Sequence, residues 1–278
     1  MLTLNCKGKL LSLSKPVVMG IINATPDSFY PGSRLLDIDA AFHLAKKMKD
    51  DGAHIIDVGG QSTRPGSFRL SASEEKERVI PFIRKIHEEL PEIIVSVDTY
   101  HSSVAIKALE NGASMVNDIS AGEMDEKMIE TVAAYSAPFV CMHMKGRPEN
   151  MHLNTNYNHL LEDIVDFFSK KIDTCKSAGV HDILIDPGFG FGKNIEQNFE
   201  LLRNLQIFKM FKMPIVAGLS RKSTIYKTLG ITSNEALNGT TVLNTLALIN
   251  GANILRVHDV REAVEAIRLV EAYKGPQS

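Results

Sequence analysis

The sequence predicts an α/β fold, a TIM (β/α)8 barrel preceded by a short N-terminal β-hairpin. Three observations carry this. Eight short apolar runs are rich in β-branched residues, each is followed by a segment of helical periodicity, and composition does not break along the 278 residues. A doubly wound sheet, the alternative, would have fewer strands and one Gly-rich phosphate loop at its first turn.

The elements follow in order. Leu2 and Leu4, then Leu11 and Leu13, alternate with polar neighbours around Lys7-Gly8-Lys9, a hairpin over 1–15 that would close the barrel bottom. The barrel itself would run over 16–274, in one domain. Strand-like runs lie at 17–22, 55–58, 93–97, 115–119, 139–142, 183–185, 215–219 and 254–257. Helical segments lie between them at 40–48, 73–89, 102–110, 125–134, 160–177, 196–205, 234–249 and 261–273. In the fifth, Leu161, Ile164, Val165, Phe168 and Ile172 form one stripe opposite Asp163, Asp166 and Lys170. Ser71 with Glu74 reads as a capping box, and Gly52, Gly112, Gly179 and Gly251 follow helix ends.

A chain with 44% hydrophobic and 23% charged residues is expected to be a soluble globular protein with a sizeable core. Its net charge of −2 argues against a nucleic-acid or membrane-surface partner, so any anion site must be built locally. Cys6, Cys141 and Cys175 have neither metal-ligand nor disulfide spacing and read as reduced thiols of a cytoplasmic protein. The N-terminus lacks a signal-peptide core, and no apolar run approaches the roughly 18 residues of a membrane span.

In such a barrel the active site lies at the C-terminal strand ends. Each strand delivers polar groups there: Asn23, Thr25 and Asp27; Asp57 with the loop 60–66; Asp98 and Thr99; Asn117 and Asp118; His143 and Lys145; Asp186 with Gly188-Phe189-Gly190-Phe191-Gly192-Lys193; Ser220-Arg221-Lys222-Ser223; and Arg256-Val257-His258-Asp259. A lone buried Asp in a barrel is more often structural, but eight polar strand ends together would be costly to bury without a ligand. Asp98, Asn117, Asp186 and Lys222 suit a flat heterocycle with amidine-type N–H groups, since a carboxylate can accept two parallel N–H bonds. Arg256, His258 and Asn23 lie on neighbouring strands and suit a polyanion, with an amide oxygen available to Mg2+. The bland readings stand beside these. Asp57 and Asp118 would cap helices or hold loops, His143 could be a satisfied core histidine, and the Gly-Phe repeat lacks Walker spacing, which leaves Phe191 as an aromatic wall. The cysteines show no general-base partner.

Seven motifs then stand in order: MGIINATPDSF, DVGGQSTRPG, SVDTY, VNDIS, ILIDPGFGFGK, GLSRKS and RVHDV. On them the chain, from about Lys15 to Tyr273, resembles the dihydropteroate synthases, the folate-pathway branch of the pterin-binding barrels. The resemblance implies a transferase that joins 6-hydroxymethyl-7,8-dihydropterin pyrophosphate to p-aminobenzoate, giving 7,8-dihydropteroate and pyrophosphate. It implies that Asp98, Asn117, Asp186 and Lys222 hold the pterin, that Arg256, Val257 and His258 meet the pyrophosphate side, and that Asn23 contacts Mg2+. It implies that Thr63, Arg64 and Pro65, on a closing loop, frame p-aminobenzoate with Phe191, Lys222 and Ser223, and that Thr63 also reaches the pterin substrate. Asp27 would order the closing loops. Asn23, Asp27, Arg64, Lys222, Arg256 and His258 form the implied catalytic set. A homodimer through the helical side and inhibition by sulfonamides are further implications. Gln61 stands where the family often has Glu, which removes any charge pairing by that side chain, and Tyr30-Pro31-Gly32-Ser33 departs from the family's Gly-rich continuation.

Three rivals remain at this level. A methyltetrahydrofolate-dependent methyltransferase needs the pterin residues but not S-R-K-S, R-V-H-D or Asn23. A binding-only paralogue has no need of Thr63, Arg64 or Ser223. A Schiff-base aldolase could use Lys222, but Arg221 and Ser223 fit the synthase motif better.

Overall fold

The computed structural model describes residues 2–24, 34–61 and 69–275. The first two strands, β1 (Thr3–Cys6) and β2 (Lys9–Ser12), pair antiparallel with Leu4 opposite Leu11. Lys7 (φ 52°) and Gly8 (φ 88°) turn between them, both left-handed, which matches the twist of the strands they join.

Eight parallel strands follow: β3 (Val17–Asn23), β4 (Ile55–Gly59), β5 (Ile94–Asp98), β6 (Met115–Asp118), β7 (Phe139–Met142), β8 (Ile183–Asp186), β9 (Val216–Ala217) and β10 (Ile254–Val257). Their order is β8-β7-β6-β5-β4-β3-β10-β9, and a bridge between Ile185 and Ile215 closes the ring. The expected barrel is therefore present. Its floor is one apolar layer: Met19, Ile55, Ile94, Met115, Val140, Leu184, Val216 and Ile254, one from each strand. Leu4, Cys6, Leu11 and Leu13 of the hairpin pack onto the same cluster. The hairpin thus plugs the barrel bottom, as its alternation predicts.

Around the barrel lie α1 (Arg34–Asp50), α2 (Ala72–Glu89), α3 (Ser102–Glu110), α4 (Met128–Ala134), α5 (Leu160–Ser177), α6 (Ile195–Arg203), α7 (Ser223–Leu229), α8 (Leu237–Ile249) and α9 (Val260–Lys274). Along α5, Leu160, Ile164, Phe168, Ile172 and Cys175 are buried, while Leu161 and Val165 pack at the edge of the core. Ser71 and Glu74 form the expected reciprocal cap on α2. At Gly112 (φ 114°) a Cβ would meet the His87 side chain at 2.4 Å, so both conformation and space exclude another residue.

Two details differ from expectation. Helix α7 is additional, because Ser-Thr-Ile-Tyr-Lys-Thr-Leu is too short and too β-branched to show helical periodicity. Strand β9 is only two residues of the expected five: Pro214 lacks an amide hydrogen, and the chain leaves the ladder at Gly218.

Candidate active site

Side chains two apart on a strand share a face, so each floor residue indicates what the barrel interior holds above it. Above Ile55 come Asp57 and Gly59; above Ile94, Ser96 and Asp98; above Met115, Asn117; above Leu184, Asp186; above Val216, Gly218; above Ile254, Arg256 and His258. The floor is wholly apolar, whereas the upper layers are mostly polar. This change of chemistry along the barrel axis places the candidate site at the C-terminal strand ends.

Arg256 is its centre. Its Nε donates to Asp57 Oδ2 at 2.7 Å and Nη2 donates to Asp98 Oδ2 at 2.5 Å. Asn117 Nδ2 donates to the same Asp57 oxygen at 2.9 Å. Burial alone would lower the Arg256 pKa, but Asp57 and Asp98 hold it raised. Burial pushes Asp98 up to about 7, with Arg256 opposing the rise. Sequence reasoning divides heterocycle-binding carboxylates from a phosphate-binding arginine. Here the arginine is hydrogen-bonded to a carboxylate of the first group. Asp57, read from the sequence as a cap or loop holder, instead anchors two site residues. Asp118 does hold a loop, accepting from Ser120 N, Ser120 Oγ and Gly122 N.

Lys222, in the turn after the neighbouring β9, and Asp186, at the end of β8, continue the ring. Lys222 Nζ and Asp186 Oδ2 lie 3.6 Å and 3.8 Å from the point where a Gly218 Cβ would sit, so a larger residue at 218 would press on both. Lys222 Nζ donates to Phe189 O at 2.5 Å and lies 4.6 Å from the centre of the Phe191 ring. Burial lowers Lys222 to about 8, partly offset by Asp186. Burial also raises Asp186, partly offset by Lys222.

The Gly-Phe loop is no phosphate cradle. Gly188, Gly190 and Gly192 have φ of 73°, 80° and 66°, and Cβ atoms at Gly188 and Gly192 would strike His143 O at 1.9 Å and Lys145 O at 2.5 Å. The glycines let this loop lie against the end of β7. The N-terminus of α6 behind it is already capped by Asn194 and Gln197. Within the loop Lys193 is buried, its Nζ 3.0 Å from His143 Nδ1, 2.9 Å from Gly188 O and 3.1 Å from Phe191 O.

The S-R-K-S turn is held from behind. Arg221 (φ 55°) is a non-glycine residue in the left-handed region, and its guanidinium binds both Asp259 oxygens at 2.9 and 2.7 Å. Ser220 Oγ lies 3.0 Å from His258 Nδ1 and accepts from His258 N at 3.2 Å. The turn bearing Lys222 and the strand end bearing His258 are therefore one unit. Val257 has its side chain in the core outside the barrel, so only its backbone faces the site region. Ser223 begins α7 beside Lys222. Asn23 ends β3, its Oδ1 at 3.5 Å and Asp98 Oδ2 at 3.7 Å from the position of a Gly59 Cβ.

Asp27, Thr63, Arg64 and Pro65 lie outside the described residues. At the start of the latter loop, Gln61 Oε1 accepts from Tyr100 Oη at 2.9 Å; Arg69, just beyond, donates to the same hydroxyl at 3.3 Å. A neutral acceptor thus suffices at 61. Sequence reasoning left Asp57, Ser220, Tyr100, Lys193 and the Arg221–Asp259 pair without site roles. Only Asp57 carried a usable signal, two residues above the floor residue Ile55.

This ring of carboxylates, amide and cations atop a β/α barrel is the kind of site that binds a flat, nitrogen-rich ring. The chain belongs to the pterin binding enzyme family, whose model matches residues 19–258. It is 43% identical over 258 residues to the dihydropteroate synthase of Synechocystis sp., covering 92% of this chain and 89% of that one. Its fold superposes on Yersinia pestis dihydropteroate synthase, solved with a sulfonamide drug complex, with TM-score 0.93, 39% identity and coverage of 98% and 99%. It likewise matches Xanthomonas albilineans dihydropteroate synthase, solved with 4-aminobenzoic acid, with TM-score 0.92, 35% identity and coverage of 99% of both chains.

Proposed function

We propose that this chain catalyses the dihydropteroate synthase reaction. The observation that carries the proposal is the single ring formed by Asp98, Asn117, Asp186 and Lys222 around the strand ends, with Arg256 inside it. Asp98, Asn117 and Asp186 present acceptors and a donor to the pterin edge, and Lys222 presents a donor. Arg256 and His258 meet the pyrophosphate side of the substrate. The bond from the exocyclic carbon to the pyrophosphate oxygen breaks, and that carbon bonds the aniline nitrogen, which loses one proton. Buried carboxylates stabilise positive charge developing on the dihydropterin as the leaving group departs. The aniline nitrogen is already nucleophilic, so its attack calls for positioning and exclusion of water more than for a strong base. Phe191, Lys222 and Ser223 provide the acceptor side, with Thr63, Arg64 and Pro65 of the second loop closing over it and Asp27 of the first loop ordering that closure.

Mg2+ is part of this proposal. Among the described residues no cluster of three His, Cys, Asp or Glu side chains could hold a resident ion. The neutral Asn23 oxygen beside Asp98 fits an ion that keeps its waters and phosphate oxygens and arrives with the substrate. When bound, it would supply neutralisation of the pyrophosphate charge.

We also propose a homodimer through α8 and α9. Val242, Leu246 and Ile249 are exposed along one face of α8, and Leu269 and Tyr273 along the neighbouring α9. Three free cysteines support a reducing, cytoplasmic setting, and no described helix is long and apolar enough to cross a membrane.

The test is an assay of the purified protein with both substrates and Mg2+. Stoichiometric pyrophosphate and dihydropteroate should appear, and a sulfonamide should inhibit competitively with p-aminobenzoate. Pterin binding without turnover would leave a binding-only protein instead.

A further inference from the structure

We propose that Lys193, whose ammonium bonds the Gly-Phe loop, is a positioning residue that sets the affinity of the p-aminobenzoate pocket by clamping the 188–193 loop from beneath. The inference rests on the proposal that Phe191 and Lys222 form that pocket.

The geometry is that of a built support. The Lys193 ammonium is buried among three close acceptors, His143 Nδ1 at 3.0 Å, Gly188 O at 2.9 Å and Phe191 O at 3.1 Å, with His143 O farther off at 3.5 Å. An ammonium has three N–H donors and no acceptor, so these contacts satisfy it fully and fix His143 as the tautomer with its proton on Nε2. His143 is correspondingly hard to protonate, lowered to about 2 by burial and by the neighbouring cations Lys193 and Lys145. Burial lowers Lys193 as well, to about 7, with Asp186 opposing the fall; it remains the far stronger base of the two, so a proton held by the pair sits on the lysine. Asn198 adds a second tie, accepting from Gly190 N at 2.7 Å and donating to Lys193 O at 3.2 Å.

What the clamp holds is the working part of the loop. Phe191, whose carbonyl Lys193 grips, has its ring 4.6 Å from Lys222 Nζ. The carbonyl of Phe189, inside the clamped turn, accepts from Lys222 Nζ at 2.5 Å. Three glycines with positive φ make this turn soft on its own, because glycine has the most backbone freedom to lose on ordering. One buried side chain bonding two of its carbonyls and the end of β7 converts it into a fixed wall. Of the pterin-side residues, Asp98 and Asn117 belong to β5 and β6, and Asp186, whose Oδ1 accepts from Gly188 N at 2.8 Å, is fixed by the β8 ladder, whereas the hydrogen bonds of the Lys193 ammonium go to the loop itself and to His143. A loss of the clamp should therefore fall on the acceptor substrate.

Steady-state kinetics with each substrate varied separately test this in Lys193→Met, His143→Gln and Phe191→Ala. Lys193→Met should raise the KM for p-aminobenzoate and the Kd of a sulfonamide at least tenfold. The KM for the pterin pyrophosphate should change less than threefold. His143→Gln removes one acceptor but leaves the ammonium, and should shift the same two constants in the same direction by about threefold; it decides the matter if Lys193→Met does not fold. An unchanged KM for p-aminobenzoate, or equal rises for both substrates, overturns the role of Lys193. Phe191→Ala separates this from the underlying reading: if it too leaves the KM for p-aminobenzoate unchanged, the pocket is elsewhere and the inference falls with it.

Discussion

Glu75 shows how burial beside the site favours the protonated form of a carboxyl group. It is 1% exposed, and its Oε2 has no hydrogen-bond partner among the described residues. Burial raises it from 4.5 to about 7, with Thr99 as a hydrogen-bonding partner pulling back. A carboxyl whose folded pKa is raised loses its proton more readily in the unfolded chain. Its contribution to stability is therefore complete below pH 4.5, falls as pH rises toward 7, and is lost above that. Glu75→Gln should remove this dependence. Its stability relative to the parent should improve by about 3 kcal/mol between pH 4 and pH 8, since each pH unit separating the folded and unfolded titrations is worth about 1.4 kcal/mol. Thermal melts of both proteins at the two pH values check it, and parallel pH curves would refute it. Asp57 illustrates the other possibility at this scale. Its Oδ2 accepts from both Arg256 Nε and Asn117 Nδ2 and so aims the guanidinium, while its Oδ1 has no hydrogen-bond partner among the described residues.

Among the elements, the ninth strand and its turn are the most demanding. The strand stops after two residues, and the turn then places Lys222 and Ser223 at the head of α7. Arg221 must adopt a left-handed backbone to do so, a conformation that costs on the order of 1 kcal/mol for a residue with a Cβ. The fork to Asp259 at the start of α9 offsets that cost and ties the turn to β10. Asp259→Ala should therefore lower kcat/KM about tenfold through misplacement of Lys222, in keeping with a loss of about 1–2 kcal/mol for a charge-assisted pair. Circular dichroism should show the fold retained. Wild-type kinetics in this variant would show that the turn holds without the fork.

For the whole molecule, the outer apolar face of α8 and α9 is the surface on which the proposed homodimer rests. Leu246 is 41% exposed and sits between Val242 and Ile249 on one stripe. A charge placed there would have no effect on the barrel core but would be buried in a dimer without a partner. Leu246→Glu should convert a dimer into a monomer in sedimentation velocity, while its melting temperature changes little at low protein concentration. A parent protein that sediments as a monomer would remove the proposed interface.

Much of this was legible in order along the chain. Alternating apolar runs and amphipathic segments specify strands and helices because burial is decided by periodicity, which is a local property. The same periodicity, counted upward from Ile55, Ile94, Met115 and Leu184, brings Asp57, Asp98, Asn117 and Asp186 into the barrel. Helix α7 escaped because seven residues hold barely two turns. The partners escaped for a different reason. Arg256 with Asp57 and Asp98 spans 199 and 158 residues, and Lys193 with His143 spans 50. Hydrogen bonds at such separations depend on ångström-level placement of strand ends that no pattern in one segment encodes. By itself the sequence determined the barrel, its plugged floor and the ring of polar strand ends. Only the tertiary structure decided which carboxylate holds the arginine and which buried lysine braces the Gly-Phe loop, because those choices are made by distance across the closed barrel.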